Sequence, residues 1–318
     1  MEDYPRDLLD LEARFSSEAA CRDYLVGLRW PEGFRCPRCG HDRGWPVRSV
    51  YLECAQCHRQ TSVTAGTIFQ DTRKPLRLWF RAIWYVTSQK NGASALGLQR
   101  ILGIRSYVTA WSWLHKLRRA MVRPGRDGLK GVVEVDETYL GGLEEGVAGR
   151  KTEKKALIAV AAEEDGNGIG RIRLQCIPDA SMCSLHTFVL DNIEAGSVVH
   201  TDGWDGYNGI EEFGYKRKVT VLRRRKKKAH ELLPRVHRVA SLLKRWVLGT
   251  HQGAISHEHL AYYLDEFTFR FNRRTSGSRG KLFYRLLQQA MQTTPAPYST
   301  LSKGIRPGPE RRPRRRRT

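Results

Sequence analysis

VVHTDGWDGY, residues 198–207, runs from two β-branched apolar residues straight into an acid: Val198, Val199, His200, Thr201, then Asp202, with Gly203 ending the run. That is the pattern of a buried strand with a carboxylate at its mouth. GVVEVDETYLGG, residues 131–142, repeats it, and Asp136 ends a Val-rich run there. Two strand-end aspartates carry chemistry only if the fold sets them side by side, so the rest of the chain decides their meaning.

The chain has 318 residues, 40% hydrophobic and 28% charged. This is a globular composition, long enough for about two domains. Its charge is far from ordinary: 55 Lys and Arg against 33 Asp and Glu give a formal +22. An excess of that size points to a polyanionic partner, nucleic acid before anionic membrane. No apolar run approaches the ~18 residues of a spanning helix. The opening MEDYPRDLLDLEARF is acidic and amphipathic, unlike a secretory signal. The expected setting is the cytoplasm of a prokaryotic cell, with access to its DNA.

Seven cysteines occur, and spacing explains four of them. CPRCG holds Cys36 and Cys39, CAQC holds Cys54 and Cys57, and 14 residues separate the pairs. Each Cys-x-x-Cys turn can present two thiolates to one ion, and two such turns close a tetrahedral zinc site. The alternative, disulfides or a redox pair, suits a reducing compartment less well. His41 and His58 read as surface neighbours of a site that four thiolates already fill. Cys21, Cys176 and Cys183 have no partner at metal spacing and read as semi-buried thiols.

Residues 1–29 look helical, and 30–64 form a zinc ribbon with short β-prone pieces such as RSVYLEC (48–54). A helical region follows over 65–124. KPLRLWFRAIWYVTSQKN, 74–91, opens on Pro75 and repeats apolar residues at helical spacing. In GASALGLQRILGIRSYVTAWSWLHKLRRAM, 92–121, Ser94 and Ser106 stand as N-caps and LGI breaks a short helix from a longer one. This resembles a helix-turn-helix whose second helix ends in Lys116, Arg118 and Arg119, which become DNA-contact candidates. A plain hairpin with Trp111, Leu114 and Leu117 in its core is the other reading.

VRPGRDGLKG, 122–131, reads as a linker. Beyond it strands are expected at 131–136, 155–162, 169–177, 197–202 and 218–222, with helices at 181–191, 235–248 and 256–272. Strands first, then mixed α/β, with acids at strand ends, suits a ribonuclease-H-like catalytic core over 131–290. KRKVTVLRRRKKK, 216–228, holds nine Lys or Arg in thirteen residues, among them Arg223, Arg224, Arg225, Lys226, Lys227 and Lys228. It follows the second acid directly, which favours phosphate contact over a merely solvated face. The tail 291–318 ends in RPGPERRPRRRRT, too rich in Pro and charge to pack.

Paired carboxylates in a basic protein suit metal-assisted phosphodiester chemistry, in which Mg²⁺ takes oxygen ligands and keeps several waters. Asp136 and Asp202 are the candidate ligands. Glu134, two residues before Asp136, shares its strand face and is a possible auxiliary; Glu137 points away. Asp205 can simply cap the turn that follows.

CPRCG…CAQC, TAGTIF, VEVDETYLGG, HTDGWDGYNG, HRVASLLKRW and YLDEFTFRFNRR together resemble the DDE-type insertion-sequence transposases with an N-terminal zinc ribbon, the ISXO-two-like group. The likeness runs from about residue 10 to 290. It implies that Asp136 and Asp202 are the first two acids of the active site. Members with a full acidic triad carry glutamate seven residues before the lysine of the LLKR stretch. Here that lysine is Lys244 and the position is His237, 35 residues after Asp202. On a helix, seven residues return to nearly the same face. His237 could ligate metal as neutral imidazole or hold water or phosphate by hydrogen bond; a surface or helix-start histidine is the plain alternative. Lys244, with Arg245 beside it, would meet a phosphate near the scissile bond.

The resemblance implies a DNA transposase that binds terminal inverted repeats, cleaves the element ends and joins them to target DNA, with Mg²⁺ or Mn²⁺ at its active site and a structural Zn²⁺. At least a dimer would assemble on paired ends. Two rivals are a non-catalytic DNA-binding regulator and a structure-selective ribonuclease-H-like nuclease.

Overall fold

The computed structural model describes residues 2–48, 50–123, 125–141, 155–220 and 232–304. The chain divides into two compact units. One is built from residues up to Arg123 together with those from Ser276 onward, the other from those between.

The first unit begins with α1 (Leu8–Arg14) and α2 (Glu18–Arg29), capped by the side chains of Asp7 and Ser17. A three-stranded antiparallel ribbon follows: β1 (Gly44–Val47), β2 (Tyr51–Cys54) and β3 (Gln60–Ser62). Arg29 Nη1 donates to the carbonyls of Ser62 at 3.2 Å and Val63 at 2.5 Å, tying α2 to the ribbon's end. Next come α3 (Leu76–Ser88), α4 (Ala95–Ile101) and α5 (Tyr107–Ala120). Ser94 caps α4 as expected, accepting from Gly97 N–H, whereas Ser106 makes no side-chain cap bond to α5. Trp79 of α3 stacks on Trp113 of α5 with ring centroids 3.7 Å apart, which fixes those helices against each other.

The expected catalytic region ran to residue 290, and here the structure differs. Helix α9 (Arg279–Gln292) belongs to the first unit, where Phe283 packs within 6.0 Å of the rings of Phe15, Phe80 and Trp84. Leu282, Phe283, Leu286 and Leu287 are buried, and it is this apolar face that draws the helix there. The pieces expected separately at 1–29, 30–64 and 65–124 likewise share this one unit.

The second unit holds a five-stranded sheet in the order β6-β5-β4-β7-β8. Its strands are β4 (Val132–Leu140), β5 (Ala156–Asp165), β6 (Gly168–Ile177), β7 (Val198–Thr201) and β8 (Lys216–Val219). The first three pair antiparallel as a meander, and β7 and β8 join parallel to β4. Helix α6 (Met182–Asn192) makes the crossover to β7. This order, with an antiparallel second strand inside an otherwise parallel sheet, is the ribonuclease-H-like arrangement.

Both faces of the sheet are covered, which is why β5 reads as a continuous apolar run. Leu157, Ala159 and Ala161 join Val133, Val135 and Phe188 on the α6 side. Ile158, Val160 and Ala162 face the other way, under α7 (Pro234–His251) and α8 (Leu260–Phe271).

Candidate active site

The register of two parallel strands places the acids. Val132, Val133 and Glu134 of β4 stand opposite Val198, Val199 and His200 of β7. Asp136 follows Glu134 by two residues and Asp202 follows His200 by two, so both lie just beyond the last β4–β7 pair. Asp202 lies just past the carboxyl end of β7, but Asp136 does not end its strand as the sequence suggested: it sits mid-strand, opposite Val160 of β5, because β4 runs on to Leu140. Asp136 Oδ1 accepts its neighbour Glu137's N–H at 2.8 Å, and Asp202 Oδ1 accepts that of Trp204 at 3.0 Å. One oxygen of each is thereby fixed by backbone.

His237 arrives from α7, with Nε2 3.6 Å from Asp136 Oδ2. The side chains of Asp136 and His237 are 20% and 31% exposed, although the His237 Nε2 atom itself is buried against its surroundings. Asp205 forms part of a 3-10 turn, Asp205–Tyr207, and accepts from Asn208 Nδ2 at 3.4 Å, a local role.

Glu134, the possible auxiliary, does something else. It is 1% exposed and both its oxygens are engaged by α7: Oε2 accepts the N–H groups of Arg235 at 2.7 Å and Val236 at 3.1 Å, and Oε1 accepts Arg235 Nη1 at 2.9 Å. Glu137 does point to the opposite face, and there the hydroxyl of fully buried Tyr207 donates to its Oε1. Burial pushes the Tyr207 hydroxyl well up from its usual pKa, and the charges of Glu137, Asp136 and Asp202 push it further. Sequence reasoning passed over this Tyr207–Glu137 bond and Arg235; the aromatic in DGY was the signal available.

Asp136 and His237 offer a carboxylate and an imidazole 3.6 Å apart, and with the Asp202 carboxylate they are donor types that suit a divalent cation. The residues therefore fit the ion that such a site calls for. Among the described residues, the acid and histidine grouping whose ligand atoms all lie within 4.8 Å of one another is a different one, Glu134, Glu164 and His200. There the Arg235 guanidinium lies between the acids, 2.9 Å from Glu134 and 3.0 Å from Glu164, and supplies the positive charge itself.

In the ribbon, the four thiols converge. Cys36 Sγ lies 3.6 Å from Cys57 Sγ, and Cys39 Sγ 3.5 Å from Cys54 Sγ. Sulfurs 2.3 Å from a tetrahedral zinc stand about 3.8 Å apart, so this spacing fits the ion. The two knuckles are built alike: Gly40 N–H returns to Cys36 O at 2.9 Å and His58 N–H to Cys54 O at 3.1 Å, both residues at positive φ. Backbone N–H groups, that of Cys39 foremost, hold the Cys36 thiol down to about 6. Cys21 is buried and its thiol pushed up to about 12 by burial, while Cys183 is exposed rather than semi-buried.

The ISXO2-like transposase domain matches residues 128–272, and the transposase zinc-ribbon domain matches 16–60, together more than half of the chain. The chain belongs to the ISXO2-like transposases. An uncharacterized protein in transposable element ISH50 of Halobacterium salinarum is 27% identical over 280 residues, spanning 80% of this chain and 91% of the relative. Two solved assemblies, a pre-cleavage Mos1 transpososome and the Mos1 strand transfer complex, are 10% and 11% identical. Each match covers 74% of this chain and 80% of the other, at TM-scores of 0.29 and 0.27. Similarity that loose carries no weight; the strand order and the domain matches assign the fold.

The transposase's basic candidates need one correction. Arg118 is 2% exposed, with Nη1 3.4 Å from His115 Nε2, so it is a core residue and not a DNA contact in this structure. Arg119 donates to Pro295 O at 3.2 Å and Thr294 Oγ1 at 3.1 Å, engaged by its own unit. The exposed end of α5 is its start, at Arg105, Tyr107 and Val108. Lys244 and Arg245 are exposed on α7, seven and eight residues beyond His237. Arg223 to Lys228, the acid Glu231 and the tail from 305 lie outside the described residues. No helix among the described residues is long and apolar enough to cross a membrane.

Proposed function

We propose that this transposase binds the terminal inverted repeats of its own element, hydrolyses the element ends and joins the freed 3′-OH to target DNA. The observation that supports the proposal most directly is the approach of His237 Nε2 to Asp136 Oδ2 at 3.6 Å, beside the end of β7 that leads into Asp202. Asp136, Asp202 and His237 would hold Mg²⁺ or Mn²⁺. When bound, such ions lower the pKa of a water or hydroxyl nucleophile and neutralise charge at phosphorus.

The chain's own groups do the rest. Glu137 N–H and Trp204 N–H each hold one oxygen of Asp136 and Asp202 and so orient the two carboxylates. His237 in its neutral form would offer Nε2, 3.6 Å from Asp136 Oδ2, to the same ion. Lys244, two turns on, and Arg245 would grip backbone phosphates flanking the scissile bond. The exposed start of α5, at Arg105, Tyr107 and Val108, would enter the major groove, because helix-turn-helix proteins read bases with the first residues of the second helix. Two ends held together imply at least a dimer on DNA.

The test is a nicking assay on duplex oligonucleotides carrying the element end, with Mg²⁺ or Mn²⁺. The wild type should cut at the end, and scrambled ends should resist. A protein that binds ends but never cuts is a regulator, and one that cuts by shape regardless of end sequence is a nuclease; either result sinks the proposal.

A further inference from the structure

The start of α7 has no local cap. Its N-cap is Leu233, which has no polar side chain, and Pro234 at the first helical position has no N–H to satisfy. The next two N–H groups, of Arg235 and Val236, both go to Glu134 Oε2 on β4, and that of His237 reaches Leu233 O at 3.4 Å. Every donor of the first turn is thereby accounted for, and two of them end on one buried carboxylate from a strand 101 and 102 residues earlier.

The Arg235 side chain closes the arrangement from the other side. Nη1 bridges Glu134 at 2.9 Å and Glu164 of β5 at 3.0 Å, Nε donates to Gly168 O at 3.0 Å, and Nη2 to Gly166 O at 2.9 Å. One residue of α7 is thus bonded to β4, to β5 and to the turn that joins β5 to β6.

We propose that Glu134 and Arg235 are positioning residues, a clamp that sets how far α7 lies along the sheet and so places His237 against Asp136. The inference rests on the reading of Asp136 and His237 as active-site residues. Apolar packing of Val236, Val239, Leu243 and Val247 holds the helix down, but such packing is non-directional. A slip of one turn would move His237 by about 5.4 Å and take its imidazole away from Asp136. Directional, charge-assisted bonds to a strand that carries both Glu134 and Asp136 prevent it. Glu134 and Asp136 share a strand face, two residues apart, so the clamp and the acid it serves are fixed to one rigid element.

Glu134→Gln tests this, because it keeps the shape and removes the charge. Read by hydrogen exchange in the zinc-loaded protein without added Mg²⁺ or Mn²⁺, the amides of Arg235 and Val236 should exchange at least about tenfold faster, while those of α8 do not change. On element-end DNA, kcat should fall about 10- to 100-fold with KM near the wild-type value, since only placement is disturbed. Glu134→Asp, one methylene shorter but still charged, should recover part of kcat. If Glu134→Gln alone fails to fold, the double variant Glu134→Gln/Arg235→Met removes both buried charges, and it should fold yet show the same fast exchange and low kcat. Unchanged exchange at the helix start overturns the clamp. Fast exchange with wild-type kcat, while Asp136→Ala is dead, overturns the positioning role. An Asp136→Ala protein that still cuts overturns the site reading itself, and the exchange result then stands alone as a finding about the fold.

Discussion

His237 stands where an acidic triad would place its third carboxylate, and an imidazole there changes the balance among metal ions. Imidazole is a poor ligand for Mg²⁺ and a better one for Mn²⁺. Cleavage should therefore run faster in Mn²⁺ than in Mg²⁺ at equal concentration, and His237→Glu should narrow that difference. His237→Ala should lower the cleavage rate by roughly 10²-fold, the scale expected when a group that helps hold the ion is lost. Glu231→Ala, measured beside it, should cut normally; a dead Glu231 variant next to an active His237 variant would reassign the position. Asp136→Ala and Asp202→Ala should each abolish cutting and leave end binding within about twofold, because the basic contacts remain in place. The strands that carry Asp136 and lead into Asp202, and the helix that spans the seven-residue step from His237 to Lys244, were legible because they are local patterns. But β4 runs four residues past Asp136, which the end of the Val-rich run did not show. The role of Glu134 was not legible either, because alternation puts it on Asp136's face without saying how deep it lies. Arg118 failed for a similar reason: a position near a helix end gives charge and not burial, and this arginine lies inside the helical unit.

Among the elements, α3 and α7 share one device. Each starts at a proline without a side-chain cap, and each borrows a carboxylate from a distant segment: Glu18 accepts from Leu76 N–H at 2.8 Å and from Arg77 N–H at 3.0 Å, as Glu134 does for α7. Proline marked both starts in the sequence; the caps stayed hidden, being tertiary. The β5–β6 hairpin depends on a third buried acid. Glu163 accepts from Lys130 N–H at 2.9 Å, Arg171 N–H at 3.0 Å and Arg171 Nε at 2.9 Å. Burial alone would raise its pKa, but the bonds from Arg171 and Lys130 outweigh that and hold it below 4.5. A carboxyl whose folded pKa is depressed contributes stability that is present above its unfolded pKa and lost as pH falls through the folded one. Glu163→Gln should thus cost about 1–3 kcal/mol at pH 7, and chemical denaturation should show the gap to wild type closing below about pH 4. A gap that persists into acid would mean that the carboxylate charge does not matter there. The ribbon is simpler to test. Its strands are three or four residues each and bury only Cys54 and Thr61, too little apolar surface to fold without the metal. Purified protein should carry about one zinc per chain, and Cys39→Ser should release it and weaken end binding. A zinc-free protein with intact end recognition would refute this.

For the whole molecule, a formal +22 makes affinity for DNA and its salt dependence one question. Each phosphate neutralised releases counterions, so log K falls with log salt by about 0.9 per contact. The described units carry part of that charge in internal pairs: Arg235 with Glu134 and Glu164, Arg171 with Glu163, Arg81 with Glu12. Such arginines are unavailable to phosphate, so the DNA-facing charge is concentrated in fewer places than the composition suggests. Arg223 to Lys228 and the arginines from 306 onward are the densest runs, and no acid lies within the first of them. Deleting residues 305–318 removes seven arginines and one glutamate. If each arginine meets a phosphate, the salt slope should flatten by up to about six, and affinity should drop by a similar factor for element-end and unrelated duplexes. Titrations of both duplexes between about 50 and 200 mM salt decide it. Loss of preference for the element end in the deleted protein would mean that the tail reads bases, because contacts to phosphate alone carry no sequence information.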